Sequence, residues 1–326
     1  MNQLYPLKFS PLFKDKVWGG QKIRTKMELD FSPLPNCGEA WVISGVPGNQ
    51  TRISNGFLKD NELNELIEVY MDELVGEEVF AKFGNQFPIL IKFIDSNDYL
   101  SIQVHPDDAL AVKRKLSNGK SEMWYILDAE PGAQLISGFN RPMDADTYLR
   151  YLKENRLPEI MHFEKVEAGD LFFMPAGRIH ALGPGILLAE IQQSSDTTYR
   201  LYDWDRKDTK GNPRKLHTEE ALEAIDFTYH PSVRSSYRKV KNKSVTLISC
   251  PHFTANILQF DQPIEMDYSY FESLILYTCI SGEAIITEGK ERYPIHKGET
   301  MLLPAICQKM LLIPDSECTI LSTYIS

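Results

Sequence analysis

Ala168-Gly169-Asp170-Leu171-Phe172-Phe173-Met174-Pro175-Ala176 is echoed by Lys297-Gly298-Glu299-Thr300-Met301-Leu302-Leu303-Pro304-Ala305, so a glycine, an acidic residue, an apolar run and a Pro-Ala pair recur at one constant offset. Each copy reads as a turn, a short strand and a second turn. A repeat of this kind implies two related units. Carried forward in register, Lys309 stands where the first copy has His180, and the stretch Leu274 to Ile286 answers residues 122–136. No histidine lies between Phe253 and Ile295. The second unit is thus expected to keep the fold and to lack the side chains that give the first its chemistry.

That chemistry starts at Leu100-Ser101-Ile102-Gln103-Val104-His105-Pro106. Alternate residues of a strand share a face, so Ser101, Gln103 and His105 are expected to point into one cavity while Ile102 and Val104 pack behind them. Gly119-Lys120-Ser121-Glu122-Met123-Trp124-Tyr125-Ile126-Leu127 reads as a second strand, with Lys120 and Glu122 to one side. His180 follows the turn marked by Pro175 and Gly177. Two imidazoles, one carboxylate and one side-chain carbonyl suit a divalent ion of the Zn²⁺ type with an open coordination position. Gln103 is the least usual of the four as a ligand. Taken singly, His105 also reads as a hydrogen-bonded strand residue, Glu122 as a solvent-facing acid and His180 as a turn residue. The case for a metal is the ordered set.

The 326 residues carry a net charge of −10 and are 43% hydrophobic, which fits one large or two moderate globular domains. The acidic balance argues against a nucleic-acid partner, so any phosphate must be met by a local cluster of Lys and Arg. The segment Met1 to Lys8 has no signal-peptide pattern, and no apolar run reaches membrane-spanning length; a cytoplasmic location is expected. The five cysteines are scattered without a Cys-x-x-Cys pair and read as reduced thiols. Leu63, Leu66, Ile67 and Tyr70 fall at helical spacing after Asp60 or Asn61 as cap. Shorter helices are expected after Pro106, around Asp144 to Leu152 and around Thr218 to Ile225. Lys92 interrupts the apolar run Phe87 to Ile94 and, if buried, needs an anionic partner or a ligand. The remaining segments from 88 to 200 read as short strands between turn residues, the pattern of a β-sandwich or jelly roll. The basic run Arg234 to Lys243 reads as a solvated linker.

Taken together these residues resemble the type I mannose-6-phosphate isomerases, a zinc-dependent cupin family. The resemblance is carried by Trp18-Gly19-Gly20, Gly38-Glu39-Ala40-Trp41, Phe87-Pro88 leading to Lys92, Ser101 to Pro106, Lys120-Ser121-Glu122-Met123, Pro175 to Leu182, and Glu190 followed by Arg200. It covers most of residues 10 to 205. It implies a mainly β fold of two cupin (jelly-roll) barrels with a small helical insertion at about 55–85. Residues 1–235 would form the catalytic, metal-binding domain and 236–326 a degenerate cupin without metal ligands. It further implies one Zn²⁺ per chain on Gln103, His105, Glu122 and His180, with Arg200 as catalytic residue. Lys92, Ser101 and Lys120 match positions for binding a sugar phosphate. The expected reaction interconverts mannose 6-phosphate and fructose 6-phosphate through an enediol(ate), with the metal as Lewis acid and Glu190, Lys120 or a zinc-bound water as general base. For Arg200 the competing reading is an ion pair with Asp203 or Asp205. Competing functions on the same scaffold are a cupin oxygenase, another sugar-phosphate isomerase, or a non-enzymatic sugar-binding or regulatory cupin. Oligomeric state is not legible in the sequence.

Overall fold

The computed structural model describes residues 3–207 and 211–325, which form two pairs of facing antiparallel sheets. In the first pair, the larger sheet runs Arg234–Ser235, Leu171–Met174, Glu122–Ala129, Ile186–Gln193, Ile89–Ser96, Glu39–Val46, Leu12–Lys14, with Asn49–Gln50 beside Glu39–Val46. The smaller sheet runs Met161–Lys165, Gln134–Phe139, His180–Leu182, Ile102–Val104, Tyr199–Tyr202. Ile186–Gln193 and Ile89–Ser96 are buried along their whole length. They lie in the middle of the sheet with both faces covered, which is why apolar residues occupy successive positions in each.

The second pair repeats this plan. Its larger sheet runs Ser244–Ser249, Thr254–Phe260, Cys318–Tyr324, Ile275–Ser281, Thr300–Leu303, Leu7–Ser10, Arg52–Ile53, and its smaller sheet Ile264–Asp267, Lys309–Pro314, Glu283–Glu288, Glu291–His296. The echoed segments occupy matching places: Met174 pairs with Glu122 as Leu303 pairs with Ile275. The glycine that opens each copy has positive φ, 91° at Gly169 and 88° at Gly298, a conformation that side-chain-bearing residues avoid. The mainly β class is as expected. The sheets, however, are open paths, and among the described residues no strand pairing closes either pair into a barrel. Facing sheets meet through side chains.

Helices Leu63–Val75 and Glu77–Phe83 lie between strands of the two halves. The first is capped through the Glu65 carboxylate, which accepts the Glu62 N–H at 2.9 Å, so the cap falls one residue later than Asn61. Its last turn is tied to the second half, where the Leu274 N–H donates to the Val75 carbonyl at 3.1 Å and the Ala305 N–H to that of Leu74 at 3.0 Å. The strand Leu7–Ser10 pairs with Thr300–Leu303, so the sheets of the two halves are not sequential blocks divided at 235. The basic run from Arg234 is more than a solvated linker: Arg234–Ser235 is an edge strand on Leu171–Met174, and Arg234 reaches Asp170 at 2.9 Å and Glu164 at 2.8 Å. The expected short helices span Asp108–Lys113, Ala145–Lys153 and Thr218–Ala224. Asp107 caps the first of them by accepting the Leu110 N–H at 2.7 Å, which stops the strand Ile102–Val104 just past His105.

Candidate functional site

Two cross-strand rows face each other inside the first sandwich. On the smaller sheet, Gln103 is paired with His180 on one side and Arg200 on the other. On the larger sheet, Trp41, Lys92, Glu190 and Trp124 stand side by side on successive strands. Glu122 opens its strand beside Met174, and His105 follows directly on Ile102–Val104.

His105, Glu122 and His180 are buried and bring their ligand atoms within 4.8 Å of one another. Each imidazole has its tautomer set by a backbone carbonyl. His105 Nδ1 is 2.9 Å from the Thr197 oxygen and His180 Nδ1 2.8 Å from that of Arg178. A carbonyl only accepts, so both Nδ1 atoms carry the proton and both Nε2 atoms present a lone pair. Burial, with the Lys120 charge next to it, holds His105 well below the ordinary histidine range and His180 at about 3, so both rings are neutral. The lone pair of His180 Nε2 lies 3.2 Å from Glu122 Oε1, a buried oxygen with no hydrogen-bond partner. Three acceptors turned toward one point with too few protons among them make a seat for a cation, and two neutral imidazoles with a carboxylate fit a divalent ion.

The other expected members adjoin this cluster. Gln103 donates its side-chain amide to His180 Nε2 at 3.3 Å; a half-turn of that amide presents Oε1 instead. The Lys120 ammonium donates to Glu122 Oε2 at 2.6 Å and to His105 Nε2 at 2.9 Å. Lys92 is buried, as its place in an apolar run suggested, and has the anionic partner such a charge needs: Glu190 at 3.1 Å, with Glu39 at 4.0 Å. Burial works against the Glu190 charge, but Lys92, Lys120 and the Trp124 indole N–H at 2.9 Å outweigh it and hold the carboxyl well below its usual range. Burial raises Glu122, helped by the neighbouring Glu190 charge and opposed by Lys120. Arg200 is not paired with Asp203 or Asp205. Asp203 takes Arg206 and Arg214, and Asp205 accepts from the Tyr202 hydroxyl. Arg200 donates one Nη1 bond to the Lys215 carbonyl at 3.0 Å, and its buried Nε has no partner.

A cavity of about 460 Å³ opens onto both rows and is lined by Ser101, Gln103, Lys120, Glu190 and Arg200 among others. Its mouth holds residues that the sequence reading did not single out: Lys14, Lys16, Asn49 and Arg214. Glu39 and Trp41, quoted only as part of a motif, line it as well; the Trp41 indole donates to Glu39 at 2.7 Å and Lys16 reaches Glu39 at 3.1 Å. The available signal was the charge of Lys14 and Lys16 in an acidic chain, placed just before Trp18-Gly19-Gly20.

The family models described as "Phosphomannose isomerase type I, catalytic domain" and "Mannose-6-phosphate isomerase, cupin domain" match residues 6–163 and 243–324, respectively. The chain is 34% identical over 300 residues to mannose-6-phosphate isomerase of Streptococcus mutans, covering 92% of each chain. It is 33% identical over 322 residues to mannose-6-phosphate isomerase ManA of Bacillus subtilis, covering 97% of this chain and 98% of the other. The crystal structure of the Bacillus subtilis mannose 6-phosphate isomerase superposes with a TM-score of 0.88 at 30% identity, covering 98% of this chain and 99% of that one.

Proposed function

This chain belongs to the type I phosphomannose isomerase family, and from that premise we propose that it interconverts mannose 6-phosphate and fructose 6-phosphate with one Zn²⁺ held by His105, Glu122, His180 and a rotated Gln103. The observation that carries the reading is the convergence of two neutral Nε2 atoms on the buried Glu122 carboxylate, next to Gln103 and Lys120, which line a sugar-sized cavity. Bound there, the ion supplies a Lewis acid for the sugar oxygens next to the carbon that loses its proton.

The remaining work falls to the chain. The proton moves between C1 and C2 through an enediol(ate), and Glu190 is the base: it lines the cavity, and the Lys92 ammonium 3.1 Å from its Oε1 keeps it ionised. Lys92 fixes Glu190 in place from the next strand. Arg200 stabilises the developing oxyanion with the guanidinium donors left free by its single bond to Lys215. Lys120 serves the reacting end: a metal on His105 Nε2 would take the lone pair to which Lys120 donates, so the ammonium, still held by Glu122, would have a donor for the substrate. Ser101, buried at the cavity wall, contacts the sugar phosphate. Residues 236–326, completed by Leu7–Ser10 and Arg52–Ile53, form a cupin unit without a metal, and the enzyme works in the cytoplasm on a small sugar phosphate. No helix among the described residues is long and apolar enough to cross a membrane.

An isomerase assay on mannose 6-phosphate, run on metal-stripped and zinc-reloaded protein, tests this. Turnover that appears only on reloading is expected. Absence of turnover in both states rejects the activity, and equal turnover in both rejects the metal.

A further inference from the structure

We propose that Lys14 is the anchor for the phosphate end of the substrate, a role that rests on the sugar-phosphate reading above. Most cations that line the cavity are already answered by a carboxylate. Lys16 has Glu39 at 3.1 Å, Lys92 has Glu190 at 3.1 Å, Lys120 has Glu122 at 2.6 Å, and Arg214 Nε donates to Asp203 at 2.6 Å. Among the described residues, two cavity cations have no carboxylate within reach: Arg200 and Lys14. Arg200 is paired across strands with Gln103, at the reacting end.

Lys14 lies at the opposite side. Its strand, Leu12–Lys14, is the edge of the larger sheet, and three further strands separate it from Glu122–Ala129. With the reacting carbons fixed between Glu122 and Glu190, the phosphate, at the far end of a six-carbon chain, is carried across the sheet toward Trp41. The Lys14 ammonium leans back over that residue, 5.0 Å from the Trp41 ring centroid, and the Lys92 ammonium sits 5.0 Å from the same ring. Lys14 is held there by the side-chain oxygen of Asn49, a neutral acceptor on the strand beside Glu39–Val46. Asn49 orients the ammonium and leaves its charge uncancelled, whereas Glu39 cancels that of Lys16. A positioned cation with unspent charge at the mouth of an acidic protein's pocket is what capture of a dianion needs.

An edge-strand lysine can also serve only to discourage pairing with another chain, and the two roles separate in one substitution. Asn49→Asp gives Lys14 a carboxylate: a purely structural lysine gains a partner, while a phosphate anchor is neutralised. Steady-state kinetics with mannose 6-phosphate, and competitive inhibition by inorganic phosphate, are to be measured on Lys14→Met, Lys14→Arg and Asn49→Asp, with zinc content checked in each. For Lys14→Met, KM and the phosphate inhibition constant should both rise by about tenfold to a hundredfold, the range for losing a hydrogen bond to a charged group. Lys14→Arg should recover most of the affinity, Asn49→Asp should lose affinity with Lys14 still present, and kcat should stay within about twofold throughout. Values of KM and phosphate inhibition within about twofold of wild type in Lys14→Met, or unimpaired phosphate inhibition in Asn49→Asp, overturn the assignment. If the wild-type enzyme does not turn over mannose 6-phosphate, the reading beneath the proposal falls instead, and calorimetric titration of wild type and the three variants with inorganic phosphate still decides whether Lys14 holds the anion.

Discussion

Across the larger sheet of the first sandwich run Trp41, Lys92, Glu190, Trp124 and Phe172; across the matching strands of the second run Thr246, Asn256, Ser322, Tyr277 and Met301. By the same register Glu122 corresponds to the buried Ile275, and His180 corresponds to Lys309, whose side chain is 77% exposed. Every charge in the row has become a neutral residue. The second interior is filled by apolar side chains such as Ile286, Met301 and Met310, and it buries two phenols, Tyr268 and Tyr277, that bond to each other. Strand order is kept while chemistry is exchanged, so the sandwich itself does not make a site. The first half carries buried Lys–Glu pairs, which well-packed apolar residues would match or exceed in stability. The second half does without them.

The sharpest way to break the contrast is at the metal ligands. His180→Ala should lose bound zinc, measured by atomic absorption, and with it the several kcal/mol of a Lewis acid, so kcat should fall by on the order of a thousandfold; removal of zinc by a chelator should do the same. The mirror substitution Lys309→Ala should change neither reading. Arg200→Met should keep its zinc and lose about a hundredfold in kcat, the cost of one donor at a developing oxyanion; a change confined to KM would remove Arg200 from the chemistry. Glu190→Gln should strand the Lys92 ammonium and cost about 3–5 kcal/mol in denaturant unfolding, and adding Lys92→Met should return most of that stability without activity. If Glu190→Gln alone unfolds like wild type, the two charges are not a buried pair.

A smaller effect concerns Asp95, whose counterpart in the second sandwich is the neutral Gln259. Burial raises Asp95 from 3.8 to about 6, against the pull of the Lys22 N–H at 2.6 Å and the Lys22 charge. Between those values the folded state holds a proton that the unfolded chain has released, so this group's contribution to stability is greatest below pH 4 and is lost as pH rises toward 6. Relative to Asp95→Asn, the wild type should lose about 2 kcal/mol across that window, read from urea midpoints at pH 4 and pH 7. A difference that does not vary with pH would mean that Asp95 is ionised in the fold throughout.

What was legible in the sequence was what local spacing encodes. Gln103 and His105 are two residues apart, His180 follows a turn signalled by Pro175 and Gly177, and the repeat around Gly169 and Gly298 gave the second sandwich before any strand was placed. Lys92 was legible as a misfit in an apolar run. Two kinds of feature were not. Lys14, Asn49 and Trp41 meet because Leu12–Lys14 lies beside the hairpin of Glu39–Val46 and Asn49–Gln50, and nothing in the local pattern of Leu12–Lys14 announces that neighbour. The partner of Lys92 was hidden as well. From the sequence Lys92 looked free to hold phosphate, and only the register across the sheet shows Glu190 beside it.

The strand Leu7–Ser10 has its partner, Thr300–Leu303, nearly the whole chain away. On a ribosome it can pair with Arg52–Ile53 soon after it is made, but the edge that faces Thr300–Leu303 must wait until that partner emerges. Translation is slow compared with strand pairing, so this seam should be among the last to close. A fragment ending near residue 235 would carry a permanently open edge that invites association with other chains. Excising the first sandwich for separate study would therefore require taking the strand Leu7–Ser10 away with the sheet that it completes.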